Sequence, residues 1–380
     1  MTRSTYFVTC VPGTEPFLFD EVKRLGLARV ESQVAGVRFD GTRRDAWSAN
    51  LWLRTAIRVL ERLDRFPAPD ENSLYAGVKA LEWERWLAPD GRLAVDARSK
   101  DSELFHTRFL SQLVKDAICD RFRESDGVRP SVDVEDPDLR VDLHLFNNRA
   151  TISLDTSGVP LYRRGWRVHQ GRAPIAENLA AALVLASGWN GKAPLVDPFM
   201  GSGTILVEGA LLAAGRAPGA RRTFGFERWR DHDARAYTSV RDEARAAGRP
   251  TRKLTLSGRD VDPARVEEAR ANLAAAETDA RVELEVGDAR DWHPRPGWNA
   301  CVVTNPPYGA RVGDERQLGA LYEGFARKLA HEAGGYRVAM ITSFAPGLDA
   351  LPFRPERRTP ILNGGIECEL VVGEVPRAGT

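Results

Sequence analysis

From about Gly191 onward, segments that read as strands and helices alternate, and a chain patterned this way folds as a parallel sheet with helices on its faces. Before Gly191 the segments mix without that rhythm. Strand Tyr6–Cys10, helix Glu15–Leu25, strand Val34–Phe39, a long amphipathic helix Ala46–Leu63, strand Arg92–Ala97, helix Phe105–Phe122 and strands Val132–Asp136 and Arg140–Phe146, the last running onward to Leu154, are expected there. That region reads as α+β with small sheets. At 380 residues the chain exceeds what one packed core normally holds, so more than one domain is expected. Three are read: 1–45, 46–157 and 158–380.

Charge excludes one class of partner-binding protein. Lys+Arg total 54 against Asp+Glu 53, a formal net charge of +1, so this is no uniformly basic nucleic-acid coat. A local asymmetry remains. Between Asp155 and Glu177 no acid occurs, while Arg163, Arg164, Arg167 and Arg172 alternate with Tyr162 and Trp166. Such interleaving suits phosphate contact and base stacking, so these four arginines are the candidate RNA-binding residues. The competing interpretation is a solvated linker with Trp166 packed beneath it.

Cys10, Cys119, Cys301 and Cys368 are far apart, and the six histidines lack ligand spacing, so no metal is expected. No signal-peptide profile and no span of about 20 apolar residues is read, which points to the cytoplasm and to no membrane partner. A monomer is expected.

The chemistry lies in four strand ends. Leu195-Val196-Asp197 runs into Pro198-Phe199-Met200-Gly201-Ser202-Gly203-Thr204 and then a helix, Ile205–Ala214. Glycines let the backbone approach a ligand, but Leu206 stands where a dinucleotide fingerprint has its third glycine, and no Walker lysine follows. Asp197 would repel a pyrophosphate and suits a cationic group, such as a sulfonium or an ammonium. A second strand should end in an acid that grips ribose hydroxyls. Glu227 lies at the expected spacing. Asp260 has the better context, because Asp262-Pro263 caps a helix over Ala264–Ala276; it is favoured, with the stretch from Ala214 to Arg252 as an insertion. A third strand, Val282–Val286, ends in Gly287-Asp288-Ala289, where a carboxylate and a backbone N–H can take an adenine edge. The fourth, Ala300–Thr304, ends in Asn305-Pro306-Pro307-Tyr308. Two prolines fix the turn, so the Asn305 amide oxygen and the Pro306 carbonyl can accept both protons of a planar –NH2. They would also stabilise positive charge growing on that nitrogen, with Tyr308 free to stack on an extruded base.

In this order and context the four elements resemble class I S-adenosylmethionine-dependent methyltransferases acting on exocyclic amines of nucleic-acid bases. Arg172–Ala180 is similar to the segment preceding the first strand in that group, and Leu362–Cys368 to its last hairpin. Upstream, Thr9–Pro16, Asn50–Ala56, Lys115–Ile118, Gly127–Val132 and Leu154–Gly158 resemble a small ferredoxin-like domain followed by a THUMP RNA-binding module. The resemblance covers nearly the whole chain and is strongest to bacterial 23S rRNA guanine-N2 methyltransferases; THUMP-containing tRNA guanine-N2 methyltransferases share the catalytic motifs. It implies a Rossmann-like α/β domain with a seven-stranded, mostly parallel sheet, preceded by the α+β ferredoxin-like/THUMP region. It further implies that Asp197, Gly201, Ser202, Gly203 and Thr204 surround the methionine part of S-adenosyl-L-methionine. Asp260 would hold its ribose, Asp288 and Ala289 its adenine. Asn305, Pro306, Pro307 and Tyr308 would hold a guanine amine of rRNA or tRNA. An adenine-N6 enzyme and a non-catalytic RNA-binding factor are the rival classes.

Overall fold

The computed structural model describes residues 3–169, 174–295, 297–308 and 315–377. Eight strands form the first sheet: β1 (Ser4–Cys10), β2 (Ala28–Gln33), β3 (Gly36–Gly41), β4 (Ala56–Pro67), β5 (Arg92–Lys100), β6 (Ser131–Val132), β7 (Leu139–Phe146) and β8 (Arg149–Asp155). Their order is β2-β3-β1-β4-β8-β7-β5-β6. The expected small sheets are therefore one continuous sheet, because β4 pairs antiparallel with β1 on one side and β8 on the other. Helices α1 (Glu15–Arg24), α2 (Arg43–Trp52), α3 (Glu71–Lys79) and α4 (Thr107–Asp126) cover one face. Leu18, Trp47, Leu74 and Leu110 pack there on Tyr6, Val59, Leu143 and Ile152, the side chains of alternate strand positions.

The long helix expected over Ala46–Leu63 does not form. Helix α2 stops at Trp52, and β4 starts at Ala56. Glu21 of α1 explains the break. Its buried carboxylate accepts from the backbone N–H of Arg54 (2.9 Å) and Thr55 (2.9 Å) and from Thr55 Oγ1 (2.6 Å). Amides that would have continued the helical ladder are satisfied by a side chain more than thirty residues upstream, and the chain leaves extended.

The second sheet comprises β9 (Leu195–Asp197), β10 (Thr255–Asp260), β11 (Arg281–Val286), β12 (Cys301–Thr304), β13 (Arg337–Thr342), β14 (Arg357–Asn363) and β15 (Ile366–Glu374). Its order is β11-β10-β9-β12-β13-β15-β14. The first five strands are mutually parallel and β15 is antiparallel to both its neighbours, so the expected seven-stranded, mostly parallel sheet is present. The order reverses beside β9, and a crevice opens at such a point beyond the carboxyl ends of the strands. Helices α5 (Glu177–Ala186), α6 (Thr204–Ala213), α8 (Pro263–Ala275), α9 (Glu315–Glu332) and α10 (Ala345–Asp349) flank the sheet.

The expected insertion carries α7 (Ala234–Ala246), which packs not on this sheet but on α2. Phe226, Trp229 and Tyr237 enter the core of the N-terminal half, with the Tyr237 ring edge-on to Trp47 at 5.6 Å. Arg43 and Arg85 both clasp Asp231, at 2.5 and 2.9 Å. The two halves thus share a core, which fixes the first sheet relative to the crevice. All four cysteines are buried and unpaired. Among the described residues no helix is long and apolar enough to cross a membrane.

Candidate active site

Strands β9, β10, β11 and β12 end around one cavity of about 480 Å³, within the range of small-molecule sites. Asp197, Met200, Gly201, Ser202 and Thr204 line it from the first strand end, Asp260 from the second, Asp288 and Ala289 from the third, and Asn305, Pro306, Pro307 and Tyr308 from the fourth. Of the twelve residues expected to hold cofactor or amine, only Gly203 is absent from the wall. Its role is packing. It sits at φ +79°, and a Cβ there would lie 2.9 Å from the Ala269 Cβ of α8. The glycine lets α6 and α8 close together under the turn.

The acids differ in state, each for a local reason. Asp197 is wholly buried. Its Oδ1 accepts from Thr304 Oγ1 (2.6 Å) and from the Phe199 N–H (3.2 Å), whereas Oδ2 has no hydrogen-bond partner. Burial pushes this carboxyl up to about 7, and the nearby Asp260 charge adds to the rise. Asp260 is half-buried, which also raises it. Its two oxygens accept from the N–H of Gly201 (3.0 Å) and of Asp262 (2.9 Å), so it braces the glycine-rich turn from the neighbouring strand. Glu227, the rival ribose acid, lies outside the cavity and accepts from the Phe224 N–H at 2.8 Å, in the segment that docks on the N-terminal half. The structure therefore places Asp260, and not Glu227, at the cavity. Asp288 is gripped by the Arg290 guanidinium at 3.0 and 2.6 Å and is held below the usual carboxylate range.

At the fourth strand end the Asn305 amide oxygen is buried with no partner, while the Tyr308 hydroxyl accepts from Asn363 Nδ2 at 2.6 Å. Asn363 and Gly364 belong to the β14–β15 hairpin turn and complete that wall. Tyr322 of α9 donates its hydroxyl to the Pro307 carbonyl at 3.1 Å and is itself 2.7 Å from Thr342 Oγ1 at the end of β13. Sequence reading missed Thr304, Tyr322, Thr342 and Asn363. Thr304, next to the Asn-Pro-Pro-Tyr motif, and Asn363, within the Leu362–Cys368 hairpin, carried a local signal; Tyr322 and Thr342 carried none.

The arginine-rich stretch is where expectation and structure part. Arg164 is 2 % exposed. Its guanidinium faces Glu208 of α6 (3.4 Å) and donates to the carbonyls of Leu161 (2.6 Å) and Arg54. Arg167 pairs with Glu177 at 2.9 Å, donates to the Ile175 carbonyl at 3.0 Å and reaches Ser202 Oγ at 3.4 Å. Both are consumed by internal partners and present no charge to a phosphate, because a buried cation must be paired where it sits. Trp166 is buried beside them, and Asn272 of α8 ties the Val168 N–H (2.9 Å) to the Ser202 carbonyl (3.0 Å). The stretch is a structural brace behind the glycine-rich turn. Arg163 alone of the described three is exposed; Arg172 lies outside the described residues.

Three family descriptions match the chain: an RlmL ferredoxin-like domain over 5–60, a THUMP domain over 68–155, and an RMKL-like methyltransferase domain over 164–371. A Methylococcus capsulatus protein named ribosomal RNA large subunit methyltransferase K/L is 40 % identical over 395 residues, an alignment covering 100 % of this chain and 53 % of that protein. The chain spans about half the length of the curated relatives it matches. Among solved structures, a protein from Clostridium difficile 630 described as a possible methylase superposes with a TM-score of 0.89 at 27 % identity, covering 100 % of both chains. SMU.472, described as a candidate methyltransferase in complex with SAH, superposes with a TM-score of 0.88 at 28 % identity, again over 100 % of both chains.

Proposed function

The chain belongs to the RMKL-like, THUMP-containing methyltransferases, and from that premise we propose that it methylates the exocyclic N2 amine of a guanine in RNA, with 23S rRNA as the substrate. One observation carries the reading: two buried, unpartnered acceptors, Asp197 Oδ2 and Asn305 Oδ1, stand in the same cavity at the ends of adjacent strands β9 and β12. A lone buried acceptor costs stability, so two in one cavity fit a ligand that supplies donors or positive charge to both.

S-adenosyl-L-methionine supplies, when bound, a methyl group on a positively charged sulfur. Around it the chain's own residues bind and orient. Asp197 offers its free oxygen to the cationic part, with Gly201, Ser202 and Thr204 forming the close backbone wall. Asp260 would hold the ribose hydroxyls, and Asp288 with Ala289 the adenine. At the other end Asn305 Oδ1 and the Pro306 carbonyl would accept the two amine protons, which would leave the nitrogen lone pair free to meet the methyl group. As nitrogen becomes positive both acceptors hold its protons more strongly, so they favour the transition state over the bound base. No strong base is required, since the surplus amine proton becomes acidic only after attack and would then pass to solvent. Alignment supplies most of the acceleration. Tyr308, tethered by Asn363, offers a face to the extruded base.

The names of the relatives support rRNA over tRNA. The amine clamp itself takes any planar –NH2, so the product decides the base. Incubation with methyl-labelled S-adenosyl-L-methionine and unmodified 23S rRNA, followed by digestion to nucleosides, is expected to yield N2-methylguanosine. N6-methyladenosine as the product, or label entering only tRNA, would replace the substrate assignment.

A further inference from the structure

The helices of the N-terminal half cover one face of the eight-stranded sheet, and the opposite face carries an ordered band of cations and aromatics. Cross-strand register places it. Arg65 of β4 lies opposite Thr151 of β8, which lies opposite His144 of β7, which lies opposite Arg98 of β5. The next row reads Pro67, Arg149, Phe146 and Lys100 on the same four strands. Because side chains alternate across a strand, these rows share the face that α1–α4 leave bare. Four strands side by side span about 14 Å.

The two rows are not evenly balanced in charge. Asp142 and Asp96, on the same face, are engaged by Arg98 (2.6 Å) and Arg140 (3.0 Å). No acid among the described residues pairs with Arg62, Arg65, Lys100 or Arg149. Arg62, one row away, lies over the Phe7 ring at 5.4 Å and feels the like charges of Arg38 and Arg65. Partial burial and the field of Arg98, Arg62 and Arg65 hold the His144 imidazole below its ordinary value, so it stays neutral beside them. The His144 and Phe146 rings run parallel, 11° apart in plane and 6.3 Å between centroids, with Phe146 38 % exposed. At the rim, the loop before α4 is pinned to the β7–β8 turn by Glu103 N–H donating to Asn148 Oδ1 at 2.8 Å, and presents Phe105 at 65 % exposed.

A structural role explains Arg98 and Arg140. It does not explain four cations that no acid among the described residues pairs, gathered around an exposed ring; Arg62 has only the Phe7 ring and the field of Glu31 to set against the repulsion of Arg38 and Arg65. Phosphates would relieve that repulsion, and an unpaired base can stack on Phe146 because its face is open. We propose that this bare sheet face docks a single-stranded segment of the RNA substrate, with backbone phosphates on Arg62, Arg65, Lys100 and Arg149 and a base against Phe146. The proposal rests on the chain being an RNA methyltransferase and gives the recognition half a definite surface, distinct from the catalytic cavity and from the buried arginines ahead of it.

The test compares wild type with the double variant Arg65→Glu/Arg149→Glu and with Phe146→Ala. Affinity for an unmodified 23S rRNA transcript is measured by anisotropy over a series of salt concentrations. Melting temperature and S-adenosyl-L-methionine affinity serve as controls, with Arg65→Ala/Arg149→Ala as the milder pair should the reversal lower the melting temperature. Each variant is expected to weaken RNA binding about tenfold at 0.1 M salt, with controls unchanged. The double alanine pair should flatten the salt slope by about 1.4, two single-strand phosphate contacts' worth. A wild type that binds and methylates the transcript beside variants of unchanged affinity and slope overturns the docking surface alone. A wild type that neither binds nor methylates RNA overturns the surface and the proposed function together.

Discussion

Thr304 donates its hydroxyl to Asp197 Oδ1 at 2.6 Å and so ties the carboxyl ends of the two central strands, β9 and β12. The bond occupies one carboxylate oxygen and leaves the other bare in the cavity. It joins the cofactor end of the proposed site to the amine end, since Asn305 follows Thr304 directly.

Asp197 predicts a pH dependence. Burial lifts its carboxyl to about 7, and a cationic ligand binds the ionised form. Below pH 7 a proton must leave for each ligand bound, so S-adenosyl-L-methionine affinity should fall by up to about tenfold per pH unit, and level off above it. Calorimetry between pH 5.5 and 8.5 reads this. Asp197→Asn should bind weakly with a flat profile; a wild type equally tight at pH 5.5 and 8 contradicts the assignment.

Asn305→Ala removes the unpartnered acceptor proposed for the amine. Methyl transfer should drop by about 10²–10³-fold in kcat, the range for losing one transition-state hydrogen-bonding group. S-adenosyl-L-methionine affinity should stay at the wild-type value. Equal losses in both would mean that Asn305 shapes the cavity as a whole.

Tyr322→Phe deletes only the hydroxyl that meets the Pro307 carbonyl and Thr342. Stability should change by about 1 kcal/mol, a typical net hydrogen bond. If Tyr322 positions the Asn-Pro-Pro-Tyr turn, kcat should fall several-fold with KM for RNA nearly constant. A fall in thermal stability with kcat preserved would leave Tyr322 a packing residue.

Arg164→Ala separates brace from RNA contact. Removing it leaves buried Glu208 with only the field of Arg54, and breaking a buried pair costs about 3–5 kcal/mol. Chemical denaturation should show that loss, while the RNA affinity of the folded fraction holds. Were RNA binding lost with stability intact, the original assignment of this arginine to phosphate would return.

Gly203→Ala should destabilise the glycine-rich turn. The left-handed backbone alone costs about 1–2 kcal/mol, and the new methyl would meet Ala269 of α8. A lowered melting temperature, partly restored by S-adenosyl-L-methionine, is expected.

Much of the catalytic half was legible because each motif is local. A strand of three to six residues, its terminal acid or amide, and the cap of the next helix lie within a dozen positions. Asp197, Asp260, Asp288 and Asn305 could therefore be found one at a time, and their order along the chain supplied the sheet. The N-terminal half was read less well. Ala46–Leu63 satisfies a helical period at Trp47, Leu51, Ile57 and Leu60, yet its second part pairs with β1 and β8 and buries Val59. Nothing nearby in sequence marks the switch, because the group that satisfies the freed amides is Glu21 in another helix.

Sequence by itself determined the class of fold and the chemistry of the cavity wall, since strand–turn–helix units and their terminal residues are short-range patterns. Tertiary structure put Asp260 and not Glu227 at the cavity, because the Ala214–Arg252 insertion carries Glu227 away to the N-terminal core. It also turned Arg164 and Arg167 from surface cations into buried braces, and brought Tyr322 and Asn363 to the turn. In each case the deciding partner lies ten to more than a hundred residues away. A cation beside a tryptophan reads the same on the page whether its counter-charge is a phosphate or a buried glutamate, and only packing tells the two apart.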